Sequence, residues 1–221
     1  MKKIMMIAAM MVAAVTANAQ NEVGQLTLKP TVGMNIASMT KTEGDSKVRV
    51  GIAAGVEAEY GITESFSLSA GLLYSMQGVK GNGSFDLDFF DEYFNYEGDA
   101  EYTGKATVKL DYINIPILAN YYVIPGLAIK AGIQPAFNVS KKVKFEGDVI
   151  ISGNKKETVN VDKKIDDGVK AFQFAIPVGI SYEYKNFVLD ARYNIGVTKA
   201  FKYTDSRHSV FQITLGYKFA L

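Results

Sequence analysis

From residue 26 onward, apolar and polar positions alternate with period two, in stretches of ten or more residues. Side chains of a strand point to opposite faces with that period. At the C-terminal end Phe211, Ile213, Leu215, Tyr217, Phe219 and Leu221 form one row. Between them lie Val210, Gln212, Thr214, Gly216, Lys218 and Ala220. The same split recurs over residues 26–37, 50–60, 66–77, 127–140, 171–184 and 187–198. Residues 106–124 are less regular. Ile113, Ile115, Ile117, Ala119, Tyr121 and Val123 make the apolar row, but Leu110, Tyr112, Leu118 and Tyr122 share the parity of Asn114, Pro116 and Asn120. A bulge near residues 114–116 that resets the register is expected there. The pattern predicts eight strands.

Strands of about ten residues, tilted about 45°, match the hydrocarbon thickness of a bilayer, whereas strands of soluble sandwiches run to about five or six. A soluble eight-stranded vessel would show the same alternation with its apolar row inside. Three features decide between them. The polar rows are rich in Gly, Ala and Ser, which suits a narrow interior better than a wetted surface. Aromatics gather near strand ends (Tyr60, Tyr74, Tyr121, Tyr122, Tyr182, Tyr184, Tyr217, Phe219), where membrane barrels carry girdles. Connections also alternate in length. Residues 61–65, 124–126 and 185–186 are short turns, and residues 38–48, 78–105, 141–168 and 202–208 are long. The expected fold is all-β, an eight-stranded antiparallel up-and-down transmembrane β-barrel with both termini at the short-turn, periplasmic end.

The leader adds an address. Met1-Lys2-Lys3, the apolar run Ile4 to Val15 and the small-x-small Ala17-Asn18-Ala19 read as a secretory signal peptide over residues 1–19, leaving residues 20–221 as one barrel domain. The net charge of +1 becomes −1 once Lys2 and Lys3 are removed. Near-balanced charge argues against a nucleic-acid binder. With no Cys there is no disulfide framework, thiolate metal site or cysteine nucleophile, and the single His208 leaves little for a His-based metal site. No cofactor is expected.

Four stretches carry a family resemblance. They are Gly71-Leu72-Leu73-Tyr74-Ser75-Met76-Gln77-Gly78-Val79-Lys80, Leu110-Asp111-Tyr112-Ile113-Asn114-Ile115-Pro116, the Gly126 to Gly132 strand, and Ile176-Pro177-Val178-Gly179 with Asp190-Ala191-Arg192-Tyr193. In order and spacing the chain resembles the outer-membrane protein β-barrel domain family common in Bacteroidetes, the PorT-like "porin family". The resemblance covers nearly the whole chain after the leader. It implies the fold and the bacterial outer membrane, and it brings no catalytic residues with it.

The inward row carries Lys29, Lys130, Arg192 and Lys218 against Glu57, Glu59, Glu183 and Asp190, four charges of each sign. Unpaired, such groups cost several kcal/mol each when buried. A paired network filling an eight-stranded interior is therefore expected, giving a plugged lumen. Residues 78–105 hold seven acids and seven aromatics. Phe85, Phe89, Phe90, Tyr93, Phe94 and Tyr96 are candidates for loop packing or for contact with a partner. Asp86, Asp88 and Asp91 form a weak Ca²⁺ candidate that lacks the glycine and distal glutamate of an EF-hand. Lys141 to Gly168 reads as a hairpin continuing above the membrane, whose lysines suit lipopolysaccharide phosphates. His208 and Ser209 are adjacent, so they face opposite sides and do not share a proton. The expected function is non-enzymatic. Its partners are outer-membrane lipid and lipopolysaccharide, with an envelope or extracellular protein as a further candidate and no nucleic acid. The alternatives are a small-solute porin or a component of a secretion or gliding apparatus.

Overall fold

The computed structural model describes residues 23–40, 45–85, 100–151, 155–164, 168–202 and 204–221. Residues 1–19, read above as a signal peptide, lie outside them, as do Asp86, Asp88, Asp91, Phe89, Phe90, Tyr93, Phe94, Tyr96 and the side chain of Phe85. The described strands are β1 (Leu26–Thr40), β2 (Asp45–Thr63), β3 (Phe66–Phe85), β4 (Ala100–Asn114), β5 (Ile117–Ile124), β6 (Leu127–Ile151), β7 (Lys155–Lys164), β8 (Phe172–Tyr184), β9 (Phe187–Gly196), β10 (Arg207–Tyr217) and β11 (Phe219–Ala220).

They build eight wall strands. β4 and β5 are two halves of one, since both pair with β3 and β6. β7 and β8 both pair with β6, and β10 and β11 both pair with β1. All pairs are antiparallel. The ladder Thr31↔Gly216 to Thr40↔Arg207 closes the sheet on itself. Closure removes the free edges that an open sheet would leave within the wall.

The outer surface is apolar over the middle of the wall. Val32, Met34, Val50, Ile52, Leu72, Ile133, Ile180, Leu189 and Leu215 all face outward and are exposed. Water does not tolerate such a band on a monomer, and lipid does. At the short-turn end Tyr60, Tyr121, Tyr182, Tyr184 and Phe187 are exposed in a ring, and Tyr217 packs edge-on against Phe187 at 5.0 Å. Tyr122 does not belong to this girdle, because it points into the barrel.

The expected reset at residues 114–116 is corrected by the structure. The regular ladder is interrupted at Ile115 and Pro116, where proline has no N–H to give. Ile115 N–H still donates to the Pro135 carbonyl, the Pro116 carbonyl accepts from Gly71 N–H, and parity runs unbroken through them. Leu110, Tyr112, Asn114, Pro116, Leu118 and Asn120 all face inward and are buried. The irregularity came from large apolar residues that face the interior and are buried. The register shift lies on the partner strand instead. Asp111 pairs with Ser140 and Tyr112 with Asn138, so Val139 of β6 is the extra residue of a bulge.

The strands also run further into the long connections than expected. β3, β4, β6 and β7 form a sheet extension beyond the apolar band. Gly78 marks its start on β3, with φ +131°, and a Cβ there would meet the Val108 carbonyl oxygen at 2.0 Å.

Candidate functional site: the lumen and the sheet extension

Inward-facing side chains meet along the barrel axis in layers. Nearest the short turns, Glu59 accepts from Ser67 Oγ at 2.6 Å and from Tyr122 Oη at 2.5 Å. Lys218 Nζ reaches Glu183 at 2.7 Å and Glu59 at 3.4 Å. Next comes a five-member network. Arg192 binds Glu57 at 2.6 Å and 2.8 Å, and Asp190 at 2.5 Å and 3.0 Å. Lys29 pairs with Glu57 at 2.7 Å and Lys130 with Asp190 at 3.0 Å. These five side chains are each 2% exposed. The structure thus brings together all eight inward charges named from sequence, in two adjoining groups. The five-member group holds three cations and two anions, and the Glu59–Lys218–Glu183 group holds one cation and two anions. Their excesses are opposite and cancel.

The rigid guanidinium fork of Arg192 grips each of two carboxylates, from two strands, with two nitrogens, a bidentate geometry that the single ammonium of a lysine does not offer. Glu57 comes from β2 and Asp190 from β9, so the fork ties opposite parts of the wall across the axis.

Toward the long loops the lumen turns from ionic to amide-lined. Asn35 and Gln77 both donate to Ser75 Oγ, at 2.9 Å and 3.0 Å, and Asn194 donates to Gln212 at 3.3 Å. Above these, His208 Nε2 lies 3.0 Å from Tyr112 Oη, and the rings meet edge to face. Both side chains are buried. Beside this pair lies an apolar cluster of Met39, Val79, Leu110, Ala136, Val169 and Ala200, with Val108 and Phe201 packed against it. Sequence reasoning missed this cluster and the Tyr112–His208 pair. The signal was there in Leu110 and Tyr112 on an otherwise polar row.

His208 and Ser209 lie on opposite sides of the wall. Ser209 Oγ bonds Tyr193 Oη on the outer surface, and Asp205 pairs with Lys199. No nucleophile–base pair forms at this point. Among the described residues no group of His, Cys, Asp and Glu is arranged to hold a metal ion.

In the extension the faces exchange character. Val143 and Phe145 of β6 turn inward and are buried, while Lys109 on the outside bonds Asp162 at 2.9 Å. Donation from Lys109 holds the Asp162 carboxyl below the ordinary aspartate range. Lys144 does the same for Glu146.

The model for the outer membrane protein beta-barrel domain matches residues 18–202. The chain belongs to that family. Its place is therefore the bacterial outer membrane, and the apolar band is its lipid-facing zone. No curated protein matches the chain in sequence. Several solved structures are similar. The attachment invasion locus protein Ail of Yersinia pestis, crystallised with the heparin analogue sucrose octasulfate, has a TM-score of 0.47 at 12% identity, over 90% of this chain and 100% of that one. Neisserial surface protein A has a TM-score of 0.45 at 12% identity, over 88% and 97%. OprG of Pseudomonas aeruginosa has a TM-score of 0.43 at 10% identity, over 92% and 99%.

Proposed function

We propose that the protein is a non-enzymatic outer-membrane barrel with a plugged lumen. On this reading it serves the envelope as a structural element and meets surface partners through its sheet extension and long loops. One observation carries the reading: Lys29, Glu57, Arg192, Asp190 and Lys130 form a continuous ion-paired layer across the axis, each side chain 2% exposed. Eight strands leave an interior about wide enough for side chains alone. A solute would have to break charge pairs that are costly to separate when desolvated. The apolar cluster toward the long-loop end adds a second barrier.

In this account the three short turns face the periplasm, together with both ends of the wall. The leader over residues 1–19 is the export address. An envelope or extracellular protein partner would meet the long connections, including the Phe85–Tyr96 aromatics and the Asp86, Asp88 and Asp91 carboxylates.

Planar-bilayer recording tests the plug. The purified barrel is expected to give no steady conductance. The double variant Lys29→Ala with Arg192→Ala is expected to flicker open, since it leaves Glu57 and Asp190 repelling each other. Steady, large conductance of the unaltered protein would establish the small-solute porin instead.

A further inference from the structure

Beyond the bulge at Val139, the outer face of β2, β3, β4, β6 and β7 can be read row by row from the strand register. The first row is Gly78–Lys109–Lys142–Lys164. The second is Lys47–Lys80–Thr107–Lys144–Asp162. The third is Asp45–Asn82–Lys105–Glu146–Asn160. Three consecutive rows therefore carry seven lysines, with Glu146 and Asp162 among them.

Two pairs of lysines in these rows stand directly across from each other on neighbouring strands, Lys109↔Lys142 and Lys142↔Lys164, and a third is Lys47↔Lys80. Directly opposed like charges destabilise a sheet. Asp162 and Glu146 answer Lys109 and Lys144, and lysines outnumber carboxylates along the rows.

Height matters as much as charge. The last wholly apolar outward row is Tyr74–Ile113–Phe137, and Val139 beside it is exposed. Lys109 lies four residues along β4 from Ile113. Four residues of tilted strand rise roughly 9–10 Å. The headgroup layer on each side of a bilayer is roughly 5–8 Å thick. A lysine stem reaching down from this row therefore places its ammonium among headgroups. The patch is also one-sided. Among the described residues of β1, β9 and β10, the outward positions at the rim are Ser38, Ser209, Ile195, Thr40 and Arg207, with a single cation.

We infer that this outer face of the extension is a docking site for the phosphate groups of a phosphorylated outer-leaflet lipid, held by the Lys109–Lys142–Lys164 row and by Lys80 and Lys144 above it. Lipid chains lie against the apolar band below while the phosphates bridge the opposed lysines and offset their mutual repulsion. This deepens the surface-binding reading above by naming the partner's chemistry, and it rests on that reading. Conductance measures the plug independently, so failure of one leaves the other standing.

The test uses the full barrel in phosphatidylcholine nanodiscs doped with a diphosphorylated glycolipid of the lipid A type, read by native mass spectrometry of retained lipid. The variant Lys109→Gln, Lys142→Gln, Lys144→Gln changes the outer face. The variant Lys141→Gln, Lys163→Gln changes the inner face of the same strands. A near-surface lysine contributes roughly fivefold to such binding, so the outer-face variant is expected to lose at least about tenfold in affinity. The inner-face variant and a dephosphorylated glycolipid serve as comparisons: the former should bind as the unaltered protein does, and the latter should bind weakly to both. Equal loss in the two variants would overturn the inference. So would retained affinity in the outer-face variant, or a soluble polyanion bound in detergent as tightly as the lipid.

Discussion

The wall inside the membrane and the wall above it are made by the same strands with opposite dress. Below the bulge, β6 turns Ile129, Ile133 and Phe137 outward to lipid and Lys130 and Gln134 inward. Above it, β6 turns Val143 and Phe145 inward and Lys142 and Lys144 outward. On both sides of the bulge, from Leu127 to Phe145, the large apolar residues of β6 sit at odd positions, among which Lys141 is the charged exception. One extra residue at Val139 reverses which side they face, at the height where the outer solvent changes from hydrocarbon to headgroups and water. The bulge is therefore what lets one alternating sequence serve two surroundings.

If this contrast is right, the heaviest penalties lie in the membrane-level interior. Arg192→Leu leaves Glu57 and Asp190 buried without their fork, and it should cost about 3–5 kcal/mol in the guanidinium unfolding of the vesicle-embedded barrel. Next comes the lipid face. Leu215→Arg should cost about 2–4 kcal/mol, because a cation at mid-bilayer depth has no partner. The converse change in the extension, Lys142→Leu, should leave the midpoint within about 0.5 kcal/mol. Equal penalties for Leu215→Arg and Lys142→Leu would erase the distinction between the two zones.

Much of this was legible in the sequence, for reasons that mark its limits. The eight wall strands and the inward charges were readable because period two fixes sides locally, and a residue such as Arg192 between Ala191 and Tyr193 has one reading in a lipid-facing strand. The bulge at Val139 was not readable, since the large apolar residues of β6 keep to odd positions before it and, up to Phe145, after it. The irregular stretch at residues 106–124 was assigned a reset for the same reason in reverse. Leu110, Tyr112 and Leu118 broke the polar row while the backbone kept its parity, because all three are large side chains that face inward and are buried, Leu110 and Tyr112 within the apolar cluster.

Smaller effects sharpen that cluster and the extension. Tyr112→Phe removes the partner of His208 Nε2 and should cost about 1 kcal/mol, seen as faster amide exchange near the long-loop end with the charged layer unchanged. A midpoint shift as large as that of Arg192→Leu would place the cluster, not the ion layer, at the centre of stability. The smallest effect is electrostatic. Asp162 has its carboxyl pulled below its unfolded value by Lys109, so its stabilising pair is present above the unfolded value and fades as pH falls through the folded one. In Lys109→Ala the NMR titration midpoint of Asp162 should move up toward the ordinary aspartate value. An unmoved midpoint would remove that pair from the account.

The most direct test of the whole is depth-resolved quenching. The chain has no Cys, so Leu215→Cys and Gln212→Cys can each carry one fluorophore in vesicles whose lipids are brominated on the acyl chains. The account predicts strong quenching at position 215 and little at position 212. Strong quenching at 212 with 215 protected would turn the barrel inside out and contradict it.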